Sequence, residues 1–249
     1  MLRRTAIATL WCATTLAQPP SPPAFDVVSI KHRTVTGERR GADSPQETID
    51  PGMVSLSVAS AGELVEFAYD CKSPQQVVGR PDWDGREFYD VVAKSALPAT
   101  RQQQRAMMQT MLADRFRLAC HRETRQVNGY ALMRGGKLRL IPTQDAPAEF
   151  EPPRPLHSMR GSELIFTYTG RLTMAQLADW LWRRFHQPVA DQTGLTGAYE
   201  FSMAMTNEQA MGFDDFTLAV QQQLGIAVKP RRVPMEVVVI DRMERPSEN

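Results

Sequence analysis

What this chain has little of narrows the field first. Its 249 residues include three cysteines, four histidines and 8% aromatic side chains, and 29 basic residues stand against 28 acidic ones. Three cysteines cannot staple a small scaffold, while the length suffices to bury one sizeable core or two small ones. A net charge of +1 gives no field of the kind that phosphate neutralisation requires, which counts against nucleic acid as a partner. Serine-nucleophile motifs, a glycine loop for phosphates and an HExxH helix are all missing. An enzyme is therefore the less favoured reading, though scattered carboxylates can still assemble an acid–base site. No cofactor is expected.

The amino end is the most legible segment. Arg3 and Arg4 precede a mostly apolar stretch from Thr5 to Leu16, and Thr15-Leu16-Ala17 offers small residues for cleavage. That stretch falls short of the roughly twenty residues a membrane-spanning helix needs, so residues 1–17 read as a cleaved export signal and the protein as periplasmic or extracellular. No transmembrane span is expected in the mature chain. Cys12 follows bulky Trp11, where lipid attachment needs a small residue, and Arg3-Arg4 alone does not make a twin-arginine signal. Removing Arg3 and Arg4 leaves 29 − 2 = 27 basic against 28 acidic residues. Cys71 and Cys120 remain, an even count that permits a disulfide in an oxidising compartment. Two separately buried thiols are the other reading.

The organisation points to a duplication. The stretch Pro142 to Pro155 reads as a linker, set at residues 142–160, between halves at 25–141 and 161–249. In the first half, a helix-like Ser60 to Tyr69 leads to Gln76-Val77-Val78-Gly79, a turn around Trp83 and a strand from Phe88. In the second, Thr173 to Phe185 leads to Gln187-Pro188-Val189-Ala190, a turn around Gly194 and a strand from Tyr199. Each half continues with a helix, Thr100 to Asp114 or Phe213 to Leu224, and two extended segments. The expected fold class is α+β, with two related α-β-β-α-β-β units, each packing helices on a small, mainly antiparallel sheet. Ser60-x-x-Glu63, Thr100-x-x-Gln103 and Thr173-x-x-Gln176 have the form of capping boxes. Met107, Met108, Met111 and Leu112, and then Met174, Leu177, Ala178 and Leu181, make apolar stripes that read as core. Phe25 to Ile30 reads as a leading strand and Thr34 to Pro51 as a mobile loop.

Chemically suggestive residues are few. Asp191-Gln192-Thr193-Gly194 is the most enzyme-like string, and its plainer reading is a glycine turn whose side chains bond local backbone. His121 and Glu123, two apart on a strand, would share a face, but two ligands do not make a zinc site and no metal is expected. Trp180 and Trp182 lie on different faces of one helix, so one is expected to pack and the other to be exposed. Trp83, in a turn between Asp82 and Asp84, competes as a surface contact and as a plug over the core. The candidate ligand or partner contacts are thus Trp83, Asp82, Asp191 and Thr193.

Several segments together carry a family resemblance: Phe25-Asp26-Val27-Val28-Ser29-Ile30-Lys31, Val78-Gly79-Arg80-Pro81-Asp82-Trp83, Met111 to Leu118 with His121-Arg122-Glu123, Asp191 to Phe201, and Ile240-Asp241 with the terminal Pro246-Ser247-Glu248-Asn249. In this order they resemble the secreted soil-associated protein family, a domain of unknown function in envelope proteins of environmental bacteria. Gln192 stands where that family usually has lysine, Glu200 where it has aspartate, and Cys71 and Cys120 lie outside its pattern. The resemblance carries over no catalytic residue. Related chains fused to membrane metallopeptidases of the antibiotic-sensor type imply a sensing or interaction role, with such a sensor as one partner. The expectation is an exported, non-enzymatic binding or sensing module for an unknown envelope protein or ligand. The alternative is an envelope hydrolase using dispersed carboxylates such as Asp82, Asp84 and Asp191.

Overall fold

Of the four α-helices among the described residues, three begin where a hydroxyl residue can satisfy their free N–H groups. In the computed structural model, which describes residues 22–35, 46–144, 152–206 and 212–246, these are α1 (Ala61–Ala68), α2 (Arg101–Arg115) and α3 (Met174–Phe185). Ser60, Thr100 and Thr173 each accept from the backbone N–H three residues on, at 3.2–3.3 Å, and the Glu63, Gln103 or Gln176 side chain accepts from the cap in return at 2.7–2.8 Å. Losing such a cap typically costs about 1 kcal/mol. The fourth helix, α4 (Phe213–Leu224), has no side-chain cap; Asp214 and Asp215 in its first turn oppose the positive end of its dipole.

Twelve strands among the described residues form three four-stranded sheets. The first contains β1 (Val27–Arg33), β2 (Gln46–Asp50), β3 (Met53–Ala59) and β5 (Phe88–Lys94), antiparallel in the order β1-β5-β3-β2. Another contains β7 (Ile141–Thr143), β8 (Pro155–Arg160), β9 (Glu163–Thr173) and β11 (Ala198–Thr206), antiparallel in the order β7-β11-β9-β8. Between them lies a sheet drawn from both halves. Its centre is the long antiparallel pair β6 (Ala119–Arg134) and β12 (Ile226–Arg242), with β4 (Val77–Val78) parallel to β12 and β10 (Val189–Asp191) parallel to β6. Gly79 lets the chain leave β4 in close contact with β12. Its φ is 75°, and a Cβ there would lie 2.7 Å from the Ile240 carbonyl oxygen.

The class is α+β with small antiparallel sheets, and the expected pair of α-β-β-α-β-β units, each on its own sheet, is not confirmed. The last strand of each half joins the shared central sheet. Both faces of that pair are apolar: Val238 and Ile240 enter one core with α1, α2 and the first sheet, while Met235 and Val237 enter the other with α3 and α4. A strand buried on both sides is stable only between two layers.

Regular structure reaches into residues 142–160. β7 and β8 occupy the ends of this stretch, while residues 145–151 lie outside the described set. Both are edge strands, where Pro142 and Pro155 need forfeit no ladder hydrogen bond. Likewise β2 occupies the end of the stretch from Thr34 to Pro51 that reads as a loop; residues 36–45, like residues 1–21 with the export signal, lie outside the described set.

The methionine stripe of α2 is core, with Met108, Met111 and Leu112 buried. Trp180 and Trp182 are both buried, contrary to the expectation that one is exposed. The reason lies across the molecule: Trp182 Nε1 donates to Ser73 Oγ at 3.1 Å, and Lys72, paired with Asp179, lies over the Trp182 ring. Asp70 also accepts from Arg183 across the halves at 2.8 Å, while pairing with Arg105 of its own half at 2.6 Å.

Candidate functional site

The loop between β4 and β5 is built around Arg80. Its Nη2 reaches Glu66 at 2.6 Å and the Pro74 carbonyl at 2.8 Å, Nη1 reaches Asp84 at 3.2 Å, and Nε reaches the Val77 carbonyl at 3.3 Å. The other Asp84 oxygen accepts from the Gly62 N–H at 2.8 Å, in the first turn of α1. Burial opposes the charge on Arg80, but its bonds to Glu66 and Asp84 outweigh burial and raise its pKa. For Glu66 the balance is reversed: burial pushes the carboxyl above its ordinary range despite Arg80.

Trp83 lies inside this arrangement and is only 5% exposed. It packs edge-on against Tyr89 at 6.2 Å, and Arg245, held by Glu87 at 2.7 Å, sits over its ring at 5.6 Å. It is a plug over the core rather than a displayed contact, because the turn aims the indole at Tyr89. Asp82 is exposed beside it.

The loop after β10 is smaller and more open. Asp191 Oδ1 accepts from the Thr193 N–H at 2.9 Å and its hydroxyl at 2.8 Å, and Thr193 Oγ1 accepts from the Leu195 N–H at 3.1 Å. Thr193 is 5% exposed, so its side chain serves the turn instead of meeting a ligand. This turn has a second consequence. It presents the Thr193 carbonyl to Arg134 Nε at 3.1 Å and so fixes the last residue of β6.

The carboxylates of the hydrolase reading are not gathered. Asp82 and Asp84 belong to one loop and Asp191 to the other, and Asp84 and Asp191 are already bonded within their loops. His121 pairs with Asp241 at 2.9 Å and Glu123 with Arg125, both on exposed surface, so the two do not act as a pair. Among the described residues no group of three His, Cys, Asp or Glu side chains is placed to hold a metal. Cys71 and Cys120 are free thiols. Cys120 donates to the Tyr69 hydroxyl at 3.0 Å, and burial, reinforced by Glu66, pushes the Cys71 thiol up to about 12.

Sequence reasoning missed an open cleft of about 610 Å³ at one end of the β6–β12 pair. Met133, Arg134 and Gly135 line it from one strand end, Ala227, Lys229, Pro230 and Arg231 from the other, and Gln221 from α4. Residues 129–140 and 225–235 together carry six cations, Arg134, Lys137, Arg139, Lys229, Arg231 and Arg232, and no acid. Lys137, Arg139, Lys229 and Arg231 make no ion pair with any described residue. The separate stretches Arg134 to Arg139 and Lys229 to Arg232 were the only available signal. They lie 229 − 134 = 95 positions apart and meet only through the antiparallel register.

A family model described as "Protein of unknown function (DUF3738)" matches residues 62–243, a span containing both loops and the cleft. No curated protein and no solved structure matches the chain. Among the described residues no helix is long and apolar enough to cross a membrane.

Proposed function

The chain belongs to the DUF3738 family of proteins of unknown function, and from that premise we propose that it is an exported, non-enzymatic binding module whose ligand is anionic and sits in the β6–β12 cleft. The carrying observation is the concentration of six cations, without an acid, along two short segments of a chain whose total charge is only +1. Charges arranged to stabilise a fold are normally matched nearby, as Arg80 is. Three of these cations, Arg134, Lys229 and Arg231, line an opening instead. Asp191 and Thr193 take part as positioning residues, holding Arg134 through one nitrogen while its remaining donors are free to serve a ligand. Export rests on residues 1–17. In the envelope the module would present its ligand to a partner, for which a membrane sensor metallopeptidase is the candidate by resemblance.

The two halves are, in this reading, copies of one unit, although its form differs from α-β-β-α-β-β. Support comes from the matching strand orders β1-β5-β3-β2 and β7-β11-β9-β8, and from the reciprocal way β4 and β10 flank the central pair. Each copy then runs β-β-β-α-β-β-α-β and gives its last strand to the common sheet.

Calorimetric titration of the purified mature chain with tripolyphosphate, a small multivalent anion, tests the binding site. Saturable binding is expected, weakened at least about tenfold by Lys229→Gln with Arg231→Gln, as each charge-assisted contact is worth about 1.5–3 kcal/mol. No binding, or binding indifferent to the double substitution, contradicts the proposal. The intact mass of the protein recovered outside the cytoplasm tests export: loss of residues 1–17 is expected, and a full-length cytoplasmic product opposes it.

A further inference from the structure

We infer that the outer edge of β8 is the surface through which two copies of this chain pair, strand to strand, as a two-fold symmetric dimer. The local sequence sets up that edge. Arg160 stands opposite Glu163 across the two-residue turn Gly161-Ser162, where Gly161 takes a φ of 65°. In a hairpin with such a turn the flanking pair exchanges hydrogen bonds, and bonded and unbonded pairs then alternate along the antiparallel ladder. Arg160, Ser158 and Leu156 therefore bond to β9, while Met159, His157 and Pro155 turn their backbone groups outward. Pro155 fits that parity, because it has no N–H to give to β9.

The other strand edges among the described residues are covered, short or charged, and β8 departs from that pattern. In the same sheet β7 covers only Ala198 to Glu200 of β11. Beyond it the Gln223 side-chain amide takes the place of a strand, accepting from the Ala204 N–H at 2.9 Å and donating to its carbonyl at 2.7 Å. The outer strands β4, β7 and β10 have only two or three residues. β1 carries Lys31 and Arg33, and β2, which holds in the first sheet the place that β8 holds in its own, carries Glu47 and Asp50. Short and charged edges are how natural sheets avoid joining other chains. β8 instead has six residues, five of them exposed, and its one charge, Arg160, sits beside the turn. Leu156 and Met159 are 68% and 63% exposed.

A second β8 fits this edge. With a two-fold axis beside Ser158, an antiparallel copy satisfies both edges at once: His157 exchanges hydrogen bonds with the partner's Met159, and Met159 with the partner's His157. The same register sets each Met159 thioether beside a histidine ring, a favourable sulfur–aromatic contact, on the face where His157 already meets Phe166 at 4.8 Å. It also separates the charges. Arg160 comes opposite the partner's Leu156, so the two arginines stand four residues apart, about 14 Å and beyond the roughly 10 Å screening length of 0.1 M salt. A net charge of +1 adds almost no repulsion between whole copies. A contact of two six-residue strands is smaller than the about 1,200 Å² of a standard interface, so the dimer is weak and concentration-dependent.

Sedimentation velocity of the mature chain across the micromolar range is expected to show a reversible monomer–dimer equilibrium. Met159→Pro removes an outward N–H that the monomer does not use, so the fold, read by circular dichroism and thermal midpoint, is expected to persist. By symmetry it deletes two hydrogen bonds per dimer and is expected to weaken association at least about tenfold. Met159→Lys charges the same edge without touching the backbone, is expected to weaken association likewise, and decides the matter should the proline variant fail to fold. Ser158→Cys supplies a covalent readout. In an unbonded antiparallel pair the two Cα atoms lie about 4.5 Å apart, within disulfide reach, so oxidised glutathione is expected to link two copies of this variant and not of wild type. Wild type that stays monomeric at every concentration overturns the inference and leaves the edge to a strand of another protein. A dimer that survives both Met159 substitutions, or no cross-link through Ser158→Cys, overturns it as well.

Discussion

Two loops of this molecule each hold an arginine and put it to opposite uses. Between β4 and β5, Arg80 is enclosed: Glu66, Asp84 and two carbonyls take its donors, and Asp84 in turn fastens the start of α1. Between β10 and β11, the Asp191–Thr193 turn takes one nitrogen of Arg134 and leaves the remainder facing a cleft with Lys229 and Arg231. The loops occupy corresponding places in the strand order and use similar turn residues. What differs is burial. A charge taken out of water must be paired or it is prohibitively costly, whereas an exposed charge can stay open for a ligand. The first loop therefore belongs to the stability of the fold and the second to recognition.

The largest effect should come from breaking the enclosed arginine. Arg80→Ala leaves Glu66 and Asp84 facing each other without a cation and is expected to cost about 3 kcal/mol, read by urea denaturation, with tripolyphosphate affinity of the folded fraction unchanged. An equal loss of affinity would erase the distinction between the loops. Asp191→Ala should cost less, about 1 kcal/mol for the Thr193 bonds, but should lower anion affinity by releasing Arg134. Both quantities can be read from one titration series, and an affinity equal to wild type would remove Asp191 as a positioning residue.

A pH dependence sharpens the same contrast. Because burial raises the folded pKa of Glu66 above its ordinary 4.5, the folded state holds that proton more tightly than the unfolded chain. The contribution from Glu66 is fully present below about 4.5 and is lost as pH rises through its folded value. Relative to wild type, Glu66→Gln should therefore show a flatter or upward stability trend just above pH 4.5, and an unchanged slope in denaturation curves would contradict it. The smallest stability effect belongs to Lys229→Gln with Arg231→Gln, within about 0.5 kcal/mol of wild type, since surface charges carry little of the fold.

Much of the fold was legible because its signals are local. Ser60, Thr100 and Thr173 announce their helices through bonds that reach only three residues along the chain. The sheets were harder. β12 reads as two short strands broken by Pro230 and Pro234, yet it runs unbroken from Ile226 to Arg242. Over those prolines it pairs only with β6, β4 joining it at Val238 and Val239, and a strand with one neighbour tolerates a proline whose nitrogen faces away. β3 carries Val54, Leu56 and Val58 in alternation with serines, too short a signal to stand out, and the proline of β8 makes that strand resemble a linker.

The candidate site was less legible still. Asp191 and Thr193 draw attention for their own chemistry, but their visible link is to Arg134 on another strand. Trp83 reads from sequence either as a surface contact or as a plug, and what closes over it is Arg245, 245 − 83 = 162 positions away. The cleft itself is a product of register, which composition cannot reveal when the basic cluster is diluted in a nearly neutral chain.

Hydrogen–deuterium exchange with and without saturating tripolyphosphate tests the central claim most directly. Protection should rise in the peptides covering residues 129–139 and 225–232 and in the Asp191–Leu195 turn that holds Arg134, while residues 77–90 around Arg80 and Trp83 should exchange as before. Protection centred on residues 77–90, with the ends of β6 and β12 unaffected, would contradict the account.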